Sequence, residues 1–414
     1  MGRPGRRHRP VVAPDFSRRV TLKTLAIVGA SVRAAVFSAL RAGFAPIGID
    51  RFADWDLRRR AAAVRVEHYP EELETAIAHQ PFDAWMYTGG LENYPNIVDR
   101  LVSKRPLWGN EGVTLRAVRD PFQCAQAFAE AGIPSPTAVA EPTGLPRDGS
   151  WLLKPLGGSG GVGIRPWRGG PLPPSRGNRD WFFQPRIAGT PCSAVFVGAG
   201  GRAVLLGATR QLVGESWTGA SEFAYGGSIG PLELSQQAQD QWQRIGTCLT
   251  ERFSLVGLFG VDALIRGGEV WPIEVNPRYP ASVEVLERAF GFLAIQLHAA
   301  ACCEGSLPDL PTRAGGRCVG KAILYAPADL IVPSRFGHWA CRQAAPWPWP
   351  NLADVPDVGA RIGKGQPVTT VFAEASDEAG VRKALRECLE EARSLLGVTG
   401  SGELPADATA SGPG

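Results

Sequence analysis

No window of this 414-residue sequence approaches the roughly 18 uninterrupted apolar residues of a membrane-spanning helix, so a soluble, cytoplasmic protein is expected and a membrane partner is not. Charge of one sign is equally scarce. Lys and Arg total 44 against 40 Asp and Glu, a net +4, and the first ten residues, "MGRPGRRHRP", hold four of the arginines. A short basic tail of that kind makes no case for nucleic acid. Histidine is rare: the five, at 8, 68, 79, 298 and 338, are dispersed and read as structural. The eight cysteines form no CxxC pair and no metal-ligand spacing, which excludes a thiolate metal centre and reads as reduced core thiols. Arg18 and Arg19 precede a short apolar stretch, as in a twin-arginine export signal. Arg33 interrupts that stretch and no small-residue cleavage site follows, so export is not expected.

What is present is an α/β pattern. "TLKTLAIVGA" reads as a buried strand, "SVRAAVFSALRAGF" as a helix and "APIGID" as a second strand ending at Asp50. Further strand and helix signals carry this first domain over residues 25–115. The turn after the first strand holds only Gly29 where a dinucleotide fingerprint has three glycines, although Asp50 stands where a ribose-binding acid would. Gly29, Ala30 and Ser31 are read as the tight turn of a plain α/β unit, where the following helix N-terminus could hold a substrate carboxylate, with nicotinamide binding as an alternative. A second domain is expected over 116–310 and a small β-rich module over 311–398. Residues 1–24 and 399–414 read as tails; the latter are rich in Gly, Ala, Ser and Pro.

Three constellations carry chemistry. In "WLLKPLGGSGGVGI", Lys154 ends a strand and five glycines follow between 157 and 163, so backbone N–H groups of Gly157, Gly158, Ser159, Gly160 and Gly161 can close on phosphate oxygens beside a point charge. The lysine precedes the glycines, so this is not a P-loop. Next, "GLFGVDALI" and "EVWPIEVNPR" are joined by a Gly-Gly turn. The hairpin is expected to set Asp262 opposite Glu274 on the face shared with Asn276, three oxygen donors for a hard cation such as Mg2+ or Mn2+. Arg278 follows directly. Weaker candidates for contact with an acceptor are Arg210 with Gln211, and Tyr225 to Ser228, which lie between these segments.

Together these residues resemble the ATP-grasp ligases, whose members carry a lysine before a glycine-rich loop, a hinge after the following strand and a late D…E-x-N-P-R pattern. Here those are Lys154 with Gly157–Gly163, "FFQPRIAG", and Asp262 with "IEVNPR". The likeness is nearest to the group described as ATP-dependent carboligases related to biotin carboxylase. It implies an α/β ATP-grasp fold: a Rossmann-like pre-ATP-grasp domain, a two-lobed α+β grasp domain and a small C-terminal module. It also implies ATP as a cosubstrate, with adenine at the backbone of Gln184, Pro185, Arg186 and Ile187, phosphates at Lys154, and a cation at Asp262, Glu274 and Asn276. Arg278 would steady the transferred phosphoryl group or an oxyanion. Many relatives place a second phosphate-binding lysine where this chain has Pro121, so either Arg116 or Arg119 is expected to supply that charge.

The activity so implied is ATP-dependent activation of a small-molecule carboxylate as an acyl phosphate, followed by attack of an amine or similar nucleophile, with a homodimer as the expected assembly. The resemblance also points towards cofactor biosynthesis linked to one-carbon metabolism. A carboxylase reading, in which bicarbonate is activated, stands beside it, although nothing resembles a biotin attachment segment.

Overall fold

The computed structural model describes residues 24–174, 180–309 and 317–398; the two tails and their arginines lie outside these. The chain opens with strand β1 (Thr24–Val28), helix Arg33–Arg41 and β2 (Ala45–Asp50), followed by β3 (Ala62–Arg65) and β4 (Ala84–Tyr87). These form a four-stranded parallel sheet in the order β3-β2-β1-β4. "TLAIV" is apolar without alternation because β1 is covered on both faces, the usual state of a central parallel strand. Asp50 is spent on the backbone. One oxygen accepts from Val32 N–H at 2.9 Å and the other from Phe52 and Ala53 N–H at 3.1 and 2.7 Å, so the expected ribose-binding acid instead ties its own loop to the start of the helix.

Helix Pro121–Glu130 leads towards the second sheet. Asp120 caps it by accepting from Phe122 N–H at 2.8 Å, and Pro121 takes the first helical position, where its missing N–H costs no bond. β5 (Trp151–Pro155) pairs with both β6 (Arg165–Pro166) and β7 (Trp181–Pro185), a small antiparallel sheet that carries the glycine-rich loop. β8 (Thr190–Ala199) and β9 (Arg202–Val213) are joined at Gly200-Gly201, both with positive φ, as a two-residue hairpin of right-handed twist requires. β10 (Tyr225–Gly230), helix Gln236–Phe253, β11 (Gly257–Arg266) and β12 (Glu269–Asn276) complete the grasp core. Helix Gln236–Phe253 seals one sheet face, burying Trp242, Ile245 and Leu249 against Phe196, Phe259, Val261 and Val275.

The C-terminal segment differs from a detached β-rich module. β13 (Cys318–Tyr325) pairs with β10, and β17 (Pro367–Ala375) pairs with β13 and with β15 (Leu352–Ala353). The main sheet thus runs over eight strands in the order β12-β11-β8-β9-β10-β13-β17-β15. β14 (Leu330–Ile331) and β16 (Arg361–Ile362) form a separate ladder. Helices Ser334–Ala344 and Glu378–Leu396 supply half of this region's core, so it is mixed α/β. No single helix among the described residues is long and apolar enough to cross a membrane. All eight thiols are free, but only Cys124 and Cys192 are buried and Cys303 is exposed, which narrows the expectation of core thiols.

Candidate active site

The acidic hairpin depends on one irregularity. The Gly267-Gly268 turn pairs Arg266 with Glu269, and an unbroken ladder from there would place Ile273 opposite Asp262. Glu274 would then fall beside Val261 and face the Trp242 core. Ile273 bulges out of the ladder instead, moving the register by one, and Asp262 stands directly opposite Glu274 with Asn276 on the same face. β12 is an edge strand, so Pro272 costs no ladder bond inside the sheet. Asn276 Nδ2 donates to Asp262 Oδ2 at 3.1 Å, and Gln211 Nε2 donates to Asp262 Oδ1 at 2.9 Å.

Facing this hairpin is a cleft of about 710 Å3 that collects much of the expected site: Lys154, Gly158, Ser159, Gly161, Gln184 and Glu274, together with Arg119. Lys154 is buried and donates to Gln184 Oε1 at 3.0 Å. Burial lowers its pKa, while Glu274 and Asp262 pull it back up. Burial and the neighbouring charge of Glu274 raise the Asp262 carboxyl to about 6. Burial also works against the Glu274 charge, but Arg119 and Lys154 outweigh it and lower that carboxyl. Two carboxylates held side by side, one of them keeping its proton up to about pH 6, are what a hard cation would relieve. The donor set is two carboxylates and an amide; no group of three or more His, Cys, Asp or Glu suited to a metal occurs among the described residues.

Of the two arginines, it is Arg119 that lines the cleft. Arg116 is turned outward to Asp99 at 2.7 Å. Arg119 lines the cleft, donates to Glu274 Oε1 at 2.6 Å and to Gly158 O at 2.8 Å, and keeps a buried Nε with no partner. The glycine-rich loop lies against the main sheet: Tyr225 N–H donates to Gly160 O at 3.1 Å. A Cβ on Gly161, at φ +79°, would stand 1.8 Å from Phe223 O, so only glycine fits there. Gly157 faces a neighbouring cleft that Arg119 and Glu92 also line.

Arg278 links the hairpin to the first domain. Its Nη2 donates to Asn276 Oδ1 at 2.8 Å and its Nε to Glu92 Oε1 at 3.0 Å. The Gly29-Ala30-Ser31 turn lies close by: Ala30 N–H donates to Gly89 O at 3.0 Å, and a Cβ on Gly89 would stand 3.5 Å from Arg278. Other candidates fall away from the cleft. Arg210 is on the opposite sheet face, where it pairs with Glu378 at 2.9 Å; its neighbour Gln211 faces Asp262. Arg186 is exposed, pairs with Glu222 at 3.1 Å and gives its N–H to Ser150 O, and neither it nor Pro185 nor Ile187 lines the cleft; Gln184 alone of that hinge does. Tyr225 and Ser228 bond each other at 2.7 Å. Sequence reasoning did not single out Glu92, whose signal is a carboxylate two residues after the Gly89-Gly90 pair that follows β4; it offers Gln211 only together with Arg210.

Comparison with known proteins agrees with this geometry. The formate-dependent phosphoribosylglycinamide formyltransferase of Pyrococcus furiosus is 39% identical over 54 residues, which is 13% of this chain and 13% of that protein, so only a small part of the curated relative is spanned. The biotin carboxylase domain of the Hydrogenobacter thermophilus 2-oxoglutarate carboxylase, solved with MgADP and bicarbonate, superposes with a TM-score of 0.68 at 13% identity, covering 89% of this chain and 90% of that one. The L-amino acid ligase of Bacillus licheniformis gives a TM-score of 0.63 at 14% identity, covering 89% and 97%. Residues 118–282, which hold Lys154, the glycine-rich loop and the acidic hairpin, match the family model described as an ATP-grasp domain.

Proposed function

We propose that this protein is an ATP-dependent ligase that activates a small-molecule carboxylate and joins it to an amine. The observation that carries the reading is the convergence of Lys154, Arg119 and Glu274 on one cleft beneath a glycine-rich loop, with Asp262 and Asn276 on the hairpin face that bears Glu274. Lys154 and Arg119 bind the nucleotide phosphates, and Arg119 exchanges Glu274 for phosphate as it does so. Asp262, Glu274 and Asn276 would hold Mg2+ or Mn2+, which when bound neutralises phosphate charge. The substrate carboxylate oxygen attacks the γ-phosphorus, the bond to the β–γ bridging oxygen breaks and ADP leaves. The amine nitrogen then attacks the acyl carbon; inorganic phosphate departs and the nitrogen loses its proton. Arg278 is placed to hold the carboxylate and then the oxyanion that forms at its carbon. The closed loop excludes water, which would hydrolyse the acyl phosphate.

Buried Asp50, bonded to three backbone N–H groups, supports this reading over a nicotinamide one. The protein is placed in the cytoplasm, with small molecules as its partners. The test is the melting temperature with ATP, MgATP and NADPH for wild type and a Glu274→Ala, Asn276→Ala double variant. A ligand at a hundred times Kd stabilises the fold by about 2.7 kcal/mol. MgATP is expected to stabilise wild type and to lose its magnesium-dependent part in the variant. Stabilisation by NADPH alone would overturn the proposal.

A further inference from the structure

Glu92 sits on the short turn Leu91–Asn93 at the carboxyl end of β4 and is 2% exposed. Its Oε1 accepts from Arg278, whereas its Oε2 is buried with no partner. Such an oxygen is expensive to leave unbonded, by about 1–3 kcal/mol or more for a charged group. A second unbonded polar atom lies beside it. The Tyr69 hydroxyl is buried without a partner and stands 2.8 Å from where a Cβ on Gly90 would be, with φ +103° at that glycine. Burial, and after it the Glu92 charge, raise the Tyr69 pKa, so the phenol stays neutral.

Arg278, Glu92 and Tyr69 thus gather about the Gly89-Gly90 peptide: a Cβ on Gly89 would lie in ordinary contact with Arg278 at 3.5 Å, and one on Gly90 would crowd the Tyr69 hydroxyl at 2.8 Å and Ala30 at 3.1 Å. The place is the carboxyl edge of the first sheet, where β1 is flanked by β2 on one side and β4 on the other. Ligands of open parallel sheets bind at such switch points.

The charge pattern selects among carboxylates. Arg278 alone would suit any anion, but its 3.0 Å pairing with Glu92 makes the site a neutral couple, with a positive group towards Asn276 and the cation face and a negative one towards Tyr69. A simple carboxylate would gain from the first and be repelled by the second. A zwitterion matches both. Resting on the ligase reading above, we infer that the carboxylate to be activated belongs to an amino acid: Arg278 takes its carboxylate, and Glu92 Oε2 with the Tyr69 oxygen accepts hydrogen bonds from its ammonium group. Glu92 and Tyr69 are then specificity residues, and the first domain, which contributes nothing to the nucleotide phosphates through these groups, chooses the substrate.

The experiment measures ADP release with MgATP and each proteinogenic L-amino acid, singly and in pairs, beside the des-amino carboxylic acid of the same side chain. Variants are Glu92→Gln, whose amide oxygen can still accept from Arg278, and the milder Tyr69→Phe. Wild type is expected to release ADP with at least one amino acid and not with its des-amino partner. Glu92→Gln should raise the KM for that amino acid about tenfold to a hundredfold, the loss of one charged hydrogen bond. Tyr69→Phe should do so to a lesser degree, and the melting-temperature response to MgATP should persist in both. A purely structural Glu92 would weaken amino acid and des-amino acid alike. That result overturns the inference, as does turnover of des-amino acids equal to that of amino acids, or MgATP stabilisation without ADP release for any amino acid; each leaves the ligase reading standing. Absence of any MgATP response removes the ligase reading, and this inference with it.

Discussion

The molecule buries two clusters of opposite charges, and they differ in what they leave unpaired. In one, Arg33 is 2.9 Å from Asp354 and bonds Glu284, Lys321 is 3.3 Å from Glu284, and Asp56 accepts from Asp354 and Val355 N–H at 3.1 and 3.0 Å. This network joins the first helix, the main sheet and the C-terminal loop. In the other, Lys154 has only the neutral Gln184, Asp262 has only the neutral donors Gln211, Asn276 and Ser193, and Arg119 keeps a free buried Nε. Shifted ionisation does not separate them: burial raises Asp56, like Asp262, to about 6, while Arg33 and Lys321 overcome burial to bring Glu284 down to about 2. Spare bonding capacity facing a cleft separates them. The first cluster is complete and holds the fold; the second is completed by what binds.

The largest effect should come from breaking the complete cluster. Glu284→Ala strands Lys321 and leaves Arg33 to Asp354, and is expected to cost about 3–5 kcal/mol, read by denaturant unfolding. Lys154→Met, by contrast, should leave the ligand-free protein as stable as wild type and abolish the MgATP response. A comparable loss of stability in both would erase the distinction. Next, Gly161→Ala, which meets Phe223 O in a strained backbone, should weaken MgATP binding about tenfold by titration calorimetry with little change in the unfolding midpoint.

The pH profile sharpens the contrast from both sides. Asp262 must lose its proton to hold a cation, so the magnesium-dependent part of nucleotide binding should fall about tenfold per pH unit below about 6. With its folded pKa above the ordinary 3.8, Asp262 lowers the stability of the ligand-free protein as pH rises from about 4 to about 6, so Asp262→Asn should flatten that decline in melting temperature. Glu284 has the opposite sign. Its contribution is present above the ordinary 4.5 and is lost as pH falls towards about 2. Smallest of all, Arg210→Ala, on the sheet face away from the cleft, should change stability by about 0–1 kcal/mol and leave MgATP binding untouched.

Much of this was legible in sequence because strand polarity and turn chemistry are local. Apolar "TLAIV" marked the central parallel strand, and Gly200-Gly201 and Gly267-Gly268 marked their hairpins. Lys154 and the Asp262, Glu274, Asn276 set could be placed because each sits at a strand end or on one strand face. What escaped needs contacts distant in sequence. Nothing local joins β13 to β10, 88 positions apart between Gly230 and Cys318 by subtraction of their numbers, so the C-terminal strands read as a separate module. Arg119 against Arg116 turns on which helix face meets Glu274, 155 positions away. Arg210 and Gln211 read together as a loop near the acceptor, whereas the strand's alternation sends Gln211 to Asp262 and Arg210 to the other face.

The bulge at Ile273 also gives the acidic hairpin one spare residue. Removing one residue between the Gly-Gly turn and Glu274 abolishes the bulge, and the unbroken ladder then brings Glu274 opposite Asp262 by itself; removing two would set Val275 opposite Asp262 and turn Glu274 to the Trp242 core. Loss of one residue in 269–273 is therefore open to this chain's descendants, while loss of two is closed.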